Sequence, residues 1–199
     1  DNQTCWDKLK ECCKEDSKEV HIKKHKILMA ATLLAQGIPF IHSGQEFCRT
    51  KFKLHNTYES SDEINKIDYL RKHLYQDVVD CTKDLIQIRK AHLCLRYSEK
   101  EDVEKYVSFD TIQNHVLIYK TADENEELTV LFNPTVKSYT YQPEHVSTLI
   151  YEDKAVDACK VSCVDIQPHS VVILKYDKNV KDVPTDIKVE VVSEEVITA

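Results

Sequence analysis

Glycine is almost missing: the 199-residue chain has two, against roughly 7% in average usage. Both fall in residues 37–44 (GIPFIHSG). A chain that avoids glycine elsewhere keeps it where the backbone needs a positive φ or a close approach, so this octapeptide is the first place to look for function. Long apolar runs are also missing. No stretch approaches the ~20 residues of a membrane-spanning helix, which excludes a membrane partner of that kind. Basic charge is in deficit, with 27 Lys and Arg against 34 Asp and Glu and a net charge of −7. That argues against nucleic-acid and anionic-membrane surfaces, which want a basic face. The chain opens on Asp1-Asn2-Gln3-Thr4, with no signal peptide, and its single methionine is Met29. The expectation is a chain that has been processed or cut from something longer.

Cysteine is plentiful, with eight residues, but the spacing does not suit a disulfide framework. Cys12 and Cys13 are adjacent, Cys48 and Cys94 are scattered, and Cys81 sits among apolar positions at helical spacing. The expectation is free thiols acting as small apolar residues in a reducing, cytoplasmic compartment.

The two halves differ in texture. Thr4 is placed to cap a helix from Cys5 to Glu15, and Ile22 to Gln36 repeats apolar residues at three- and four-residue spacing. Gly37 reads as that helix's C-terminal cap, with Pro39 blocking continuation. Ile38 to His42 reads as a short strand with proline near its start. Residues 43–61 form a polar loop too long to be merely connective. After a turn at 62–67, a helix is expected from Leu70 to Ala91, with Leu74, Val78, Cys81, Leu85 and Ile88 on one apolar stripe. Together these elements outline a βα unit.

Beyond Arg96 come short β-rich runs: 106–109, 116–119, 128–132, 139–141, 148–151, 161–164 and 171–174. Their spacing predicts an antiparallel β-sandwich. The acidic stretch 123–127 (DENEE) reads as a solvated hairpin turn, because it lacks the glycine and alternating ligands of a calcium loop. The expected division is 1–96, 97–176 and a charged tail at 177–199. The run 38–41 reads as the interior of a parallel sheet covered on both faces. What covers it is not expected within this chain, which already suggests a fragment.

Residues 1–9 (DNQTCWDKL), 35–47 (AQGIPFIHSGQEF), 49–51 (RTK), 56–58 (NTY), 61–69 (SDEINKIDY) and 88–92 (IRKAH) together resemble type I pullulanases, a branch of the α-amylase superfamily of glycoside hydrolases. The likeness is dense to about Arg96 and thins to a β-domain pattern up to Tyr176. Cys48, Tyr69 and the stretch 52–55 depart from the family pattern. The resemblance implies an α/β then all-β architecture: the last part of a (β/α)₈ barrel, incomplete in this chain, followed by an antiparallel β-sandwich. It implies a parent that hydrolyses α-1,6 branch linkages in pullulan, starch or glycogen by a retaining mechanism. Its partners would be the α-glucan and the remainder of the barrel.

In that family the nucleophile and general acid come from earlier strands. Asp1 matches a third carboxylate, a transition-state stabiliser, and the isolated chain is expected to be inactive. Asn2, Arg49, Tyr58 and Asn65 are the candidate substrate-binding residues. Arg49 is equally placed to anchor its loop, and Tyr58 to stack on a sugar or simply to sit in the loop. His42 is expected in the barrel wall, and Gln45 and Glu46 as ties for their own loop. No metal or cofactor is indicated, calcium in the parent being left open. His21 and His25, near Cys12 and Cys13, are expected on a solvated helix face rather than around zinc. The rival reading is a non-catalytic β-sandwich module that binds glucan or protein.

Overall fold

A computed structural model of the chain describes residues 2–180. Asp1 and residues 181–199, which hold most of the expected tail, lie outside the described residues. Helix α1 (Cys5–Cys12) starts where Thr4 Oγ1 accepts the Asp7 N–H at 3.1 Å. It stops three residues before the expected end, Glu15. Helix α2 (Lys18–Leu34) starts earlier than the apolar periodicity indicates, because Ser17 caps it by accepting the Val20 N–H.

The end of α2 corrects a second expectation. Gly37 has the positive φ, +84°, that glycine supplies, but it is not the cap. The cap is Ala35, in extended conformation. The carbonyls of the last turn are answered by a side chain from another helix: Arg89 donates to Leu33 O (2.8 Å), Ala35 O (2.7 Å) and Gly37 O (2.5 Å). A cation at a helix C-terminus also meets the negative end of the macrodipole.

Residues 38–42 do not form the expected strand. Ile38 is 97% and Phe40 89% exposed, and no strand among the described residues pairs with them. A strand needs a neighbour for its backbone groups, and sequence preference alone does not replace one.

After a turn of 3-10 helix (Gln45–Phe47) come α3 (Asp62–Asn65), α4 (Arg71–Leu74) and α5 (Gln76–Ala91). The single helix expected over 70–91 is therefore broken, at Tyr75 (φ −131°, ψ +39°). The break turns Leu74 out to solvent and Tyr75 inward. There the Tyr75 ring meets Trp6 edge-on, with centroids 5.2 Å apart, and the Arg71 guanidinium lies 5.0 Å from its centre. Past a second 3-10 turn (Leu93–Leu95), a short helix α6 (Lys100–Tyr106) leads into the sheet. It has no counterpart in the sequence reading.

The strands are β1 (Val107–Ile112), β2 (Val116–Ala122), β3 (Glu126–Asn133), β4 (Tyr139–Tyr141), β5 (Ser147–Glu152), β6 (Ala155–Val161), β7 (Val164–Ile166) and β8 (Ser170–Asp177). Six form an antiparallel sheet in the order β1-β2-β3-β8-β5-β6, and β4 pairs with β7 as a separate ribbon. The run expected at 161–164 is thus split between two sheets.

Alternate residues of β3 and β8 go to opposite layers, as the pleat requires. Val130, Phe132 and Ile173 pack with Met29, Leu33, Cys81 and Leu85 under helices α2 and α5. Leu131, Val172 and Leu174 pack with Ile166 under the β4–β7 ribbon. The arrangement is helices, six-stranded sheet, ribbon, and the helix–sheet core runs across the expected boundary at 96/97.

Polar contacts from two residues, Cys81 and Gln36, reinforce the same layer. Cys81 Sγ lies 3.0 Å from the Tyr151 hydroxyl. Gln36 Nε2 donates to Cys94 O (2.7 Å), Tyr119 Oη (3.1 Å) and Thr121 Oγ1 (3.3 Å), while its Oε1 accepts the Tyr97 N–H (3.0 Å).

Candidate functional site

Residues between Phe40 and Tyr58 and the start of the chain line a cleft of about 540 Å³, within the range of small-ligand sites. Asn2, Phe40, His42, Lys51, Asn56 and Tyr58 are among the residues that line it. The wall is amide, hydroxyl, ammonium and aromatic, the chemistry that suits a polyol with one apolar face.

Gly44 makes the sharp turn at its base. Its φ is +90°, and a Cβ there would lie 2.9 Å from Arg49 Cβ and 3.1 Å from Phe47 Cε2. Both reasons for keeping a glycine apply at this one position. Arg49 N donates back to Gly44 O at 2.9 Å, and the Glu46 carboxylate accepts the Gly44 N–H at 3.0 Å. Gln45 ties the loop to α2: its O is 2.8 Å from His25 Nε2, and its side-chain amide meets Met29 Sδ.

Arg49 is 8% exposed. Its guanidinium donates to Ser43 O (3.1 Å), to Asn65 O, and to His42 Nε2 (3.3 Å). The contact fixes the His42 tautomer, with Nε2 as the acceptor. Burial, then the charges of Arg49 and Lys51, hold His42 below the usual imidazole value, so it stands neutral at the cleft. Asn65 donates to Thr57 O (2.7 Å) and Ser60 O (2.9 Å) and accepts from Thr57 Oγ1 (3.1 Å). Lys51 Nζ reaches Thr57 Oγ1 at 2.8 Å, and burial pushes its pKa down.

The candidate residues therefore fall into two groups. Arg49 and Asn65 meet inside the loop and hold it. Asn2 and Tyr58 meet at the cleft, Tyr58 with 74% of its surface open. Asp1 is outside the described residues, and its chain neighbour Asn2 lines the cleft.

One anchor escaped the sequence reading. Asp7 is buried, and its two carboxylate oxygens accept from Thr50 Oγ1 (2.6 Å) and Lys51 N (2.7 Å), joining α1 to the loop. The Thr4-x-x-Asp7 spacing of a capped helix start was the available signal. Here the acid turns outward to the loop instead of back to the cap.

The histidine pair is a correction. His21 and His25 are buried, not solvated. They stand edge-on to Trp6 with centroids 6.1 and 5.9 Å away. Their Nε2 atoms point to separate carbonyls, Cys13 O and Gln45 O. All eight cysteines are unpaired. Among the described residues, one group of side chains converges like metal ligands: Cys94, Asp123 and Glu126. None of them lines the cleft. No described helix is long and apolar enough to cross a membrane.

No protein-family model matches the chain. A pullulanase of Bacillus subtilis is 37% identical over 126 residues, covering 63% of this chain and 18% of that protein. An isoamylase of a Flavobacterium species is 40% identical over 68 residues, or 34% of this chain and 9% of that protein. Among solved structures, type I pullulanase from Bacillus subtilis complexed with maltose superimposes with a TM-score of 0.83 at 29% identity. The match covers 89% of this chain and 26% of that one. Pullulanase from Bacillus acidopullulyticus gives 0.82 at 27%, over 88% and 23%. The chain thus spans about a fifth of the length of the Bacillus subtilis relative. In sequence and in fold, it resembles part of a type I pullulanase of the α-amylase superfamily.

Proposed function

We propose that the chain is part of a debranching glycoside hydrolase that cleaves α-1,6-glucosidic linkages in pullulan, starch or glycogen with retention of configuration. The observation that carries this reading is the fold of the resembling stretch. Phe40, His42, Gln45, Lys51, Asn56 and Tyr58, all from or beside the resembling motifs, do not scatter over the surface; they line one wall of a sugar-sized cleft beside Asn2. Residues 1–96 would be the closing portion of the catalytic barrel and 97–176 its all-β companion, with 177–199 as a tail. The exposed Ile38 and Phe40 would be the places where the remaining barrel packs. Unpaired thiols throughout support a cytoplasmic setting.

In such an enzyme a carboxylate nucleophile and a carboxylic acid about 5–5.5 Å apart act on opposite sides of the glycosidic bond. Both would come from outside these residues. Asp1 would accept hydrogen bonds from sugar hydroxyls that strengthen as positive charge develops on the ring. Asn2 would bind a neighbouring hydroxyl, and Tyr58 would offer an aromatic platform to an apolar sugar face. Arg49 and Asn65 would act by holding the loop that presents Tyr58 and the neutral His42.

Steady-state kinetics on a branched oligosaccharide test this in the complete enzyme. Asp1→Asn is expected to lower kcat about a hundredfold, a loss of about 3 kcal/mol of transition-state stabilisation, with little change in KM. The 199-residue chain alone is expected to leave pullulan intact. Turnover by that chain would overturn the fragment reading. A variant altered only in KM would reduce Asp1 to a binding residue.

A further inference from the structure

Where the helical layer hands over to the sheet, a buried thiol faces two carboxylates. Cys94 lies in the 3-10 turn that follows α5, and its side chain is fully buried. Asp123 and Glu126 flank the hairpin between β2 and β3. Ligand atoms of the three lie within 4.8 Å of one another, and Cys94 Sγ is 3.9 Å from Glu126 Oε1.

Each position is rigidly held. Cys94 O accepts from Gln36 Nε2 (2.7 Å) and Thr121 Oγ1 (2.5 Å). Asp123 Oδ1 accepts the N–H groups of Asn125 (2.8 Å) and Glu126 (2.9 Å). His92 Nδ1 lies 2.7 Å from the same Glu126 oxygen, with both side chains only 13% exposed. Lys175 Nζ stands 3.6 Å from the other oxygen.

A dry thiol beside two carboxylates is an odd choice for a core position. An ammonium or imidazolium would suffice to satisfy the acids, and neither needs sulfur. Sulfur together with carboxylate oxygen, with an imidazole behind the oxygen, is the donor set of a borderline-soft divalent ion.

We propose that Cys94 Sγ, Asp123 and Glu126 Oε1 bind one zinc ion, with water in the fourth position and His92 orienting Glu126 from behind. Tetrahedral zinc with bonds of about 2.3 Å to sulfur and 2.1 Å to oxygen separates those two donors by about 3.6 Å. The observed 3.9 Å closes to that with a shift of a few tenths of an ångström. On binding, zinc replaces the thiol proton, which leaves to solvent. The site then carries one net negative charge, and Lys175 offsets it. Glu126 Oε1 has two lone pairs, one for the metal and one for His92. A carboxylate–imidazole pair of this kind commonly steadies a first-sphere ligand. The ion would clamp the exit of α5 to the β2–β3 hairpin. This inference is independent of the proposed enzymatic activity.

Cobalt(II), a spectroscopic stand-in for zinc, tests the site on the chelator-treated full chain. The expected result is a saturable thiolate-to-cobalt charge-transfer band at one equivalent, bleached by added zinc. Cys94→Ala is expected to abolish the band, and the double variant C12S/C13S to keep it. Asp123→Asn retains the turn-forming side chain but loses the charge, and should weaken binding at least tenfold. His92→Phe should weaken it about ten- to a hundredfold. If Cys94→Ala fails to fold, Asp123→Asn and Glu126→Gln decide, with circular dichroism confirming their fold. Loss of affinity in both supports the site, and unchanged affinity overturns it. Absence of a charge-transfer band, its survival in folded Cys94→Ala, or its loss in C12S/C13S also overturns it.

Discussion

Strand β3 and residues 38–41 are built from much the same material. One reads Leu128-Thr129-Val130-Leu131-Phe132 and the other Ile38-Pro39-Phe40-Ile41. β3 lies between β2 and β8, bonded on both edges, and Leu128, Val130 and Leu131 are fully buried. The second run has no paired edge, and two of its large apolar side chains stand in water. The contrast separates two requirements that composition merges. Apolar, β-prone residues supply the wish to be covered; a neighbouring strand supplies the hydrogen bonds that make a strand of them. The sheet meets both within this chain; residues 38–41 lack the paired strand altogether and are covered only at Ile41, which packs against the helix–sheet core.

Four measurements break or sharpen that comparison. The largest effect is expected at Leu85, fully buried in the helix–sheet core. Leu85→Ala should cost about 2–5 kcal/mol in urea denaturation. Helical and tyrosine signals should shift together, because one core serves both layers. A lower midpoint for the helices alone would show that the sheet stands by itself.

Arg89→Met comes next. It leaves the carbonyls of Leu33, Ala35 and Gly37 without their donor, and a loss of about 2–3 kcal/mol is expected. Amide exchange should rise first in the last turn of α2. Protection unchanged there would mean that Ala35 caps the helix unaided.

A smaller effect follows acidification. Burial keeps His25 well below the ordinary imidazole value, and its Nε2–H donates to Gln45 O. The unfolded ring titrates near about 6.5. Below that pH the unfolded chain binds the extra proton and the folded one does not, so stability falls as pH drops through about 6.5 toward the depressed folded value. The slope from this group is at most about 1.4 kcal/mol per pH unit. His42, shifted the same way, adds a part. Denaturation midpoints between pH 7.5 and 5 should flatten in His25→Leu; an unchanged slope would rule this ring out as the cause.

Least of all should happen at the exposed run. Ile38→Ser and Phe40→Ser are expected to alter the stability of this chain by less than about 0.5 kcal/mol. A loss of 2 kcal/mol from either would mean that the segment is covered in solution.

The sheet was largely legible in the sequence, since the runs at 116–119, 128–132, 139–141 and 171–174 all lie inside observed strands. Alternation and turn spacing are local signals. What stayed hidden depended on distant partners. Tyr75 breaks a helix that periodicity carried straight through Leu74, because Trp6, far off in sequence, offers the ring a better place. Helix α6 has only Val103 and Tyr106 as apolar residues, too few to set a period. His21 and His25 look like a polar face until Trp6 is seen packed edge-on against both. At the cleft, Gly44 and the loop after it were readable from the glycine shortage, and Asp7 was not. Its role exists only once α1 and the loop at Thr50 are side by side.

Gln36 and Arg89 carry a mechanical consequence. Gln36 is pinned by four hydrogen bonds to the sheet and its approach, and Arg89 grips three carbonyls around it. The next residue, Gly37, has open space around its Cα. The backbone is therefore a short span, built in up to Gly37 at one end and held again at Ser43 by Arg49 at the other, with Ile38 and Phe40 exposed between. Tension applied along residues 38–42 reaches this anchorage as shear across many bonds in parallel, which yield together at high load rather than one after another. Gly37 is the pivot, and the β layer is the abutment that sets the angle at which the following segment leaves.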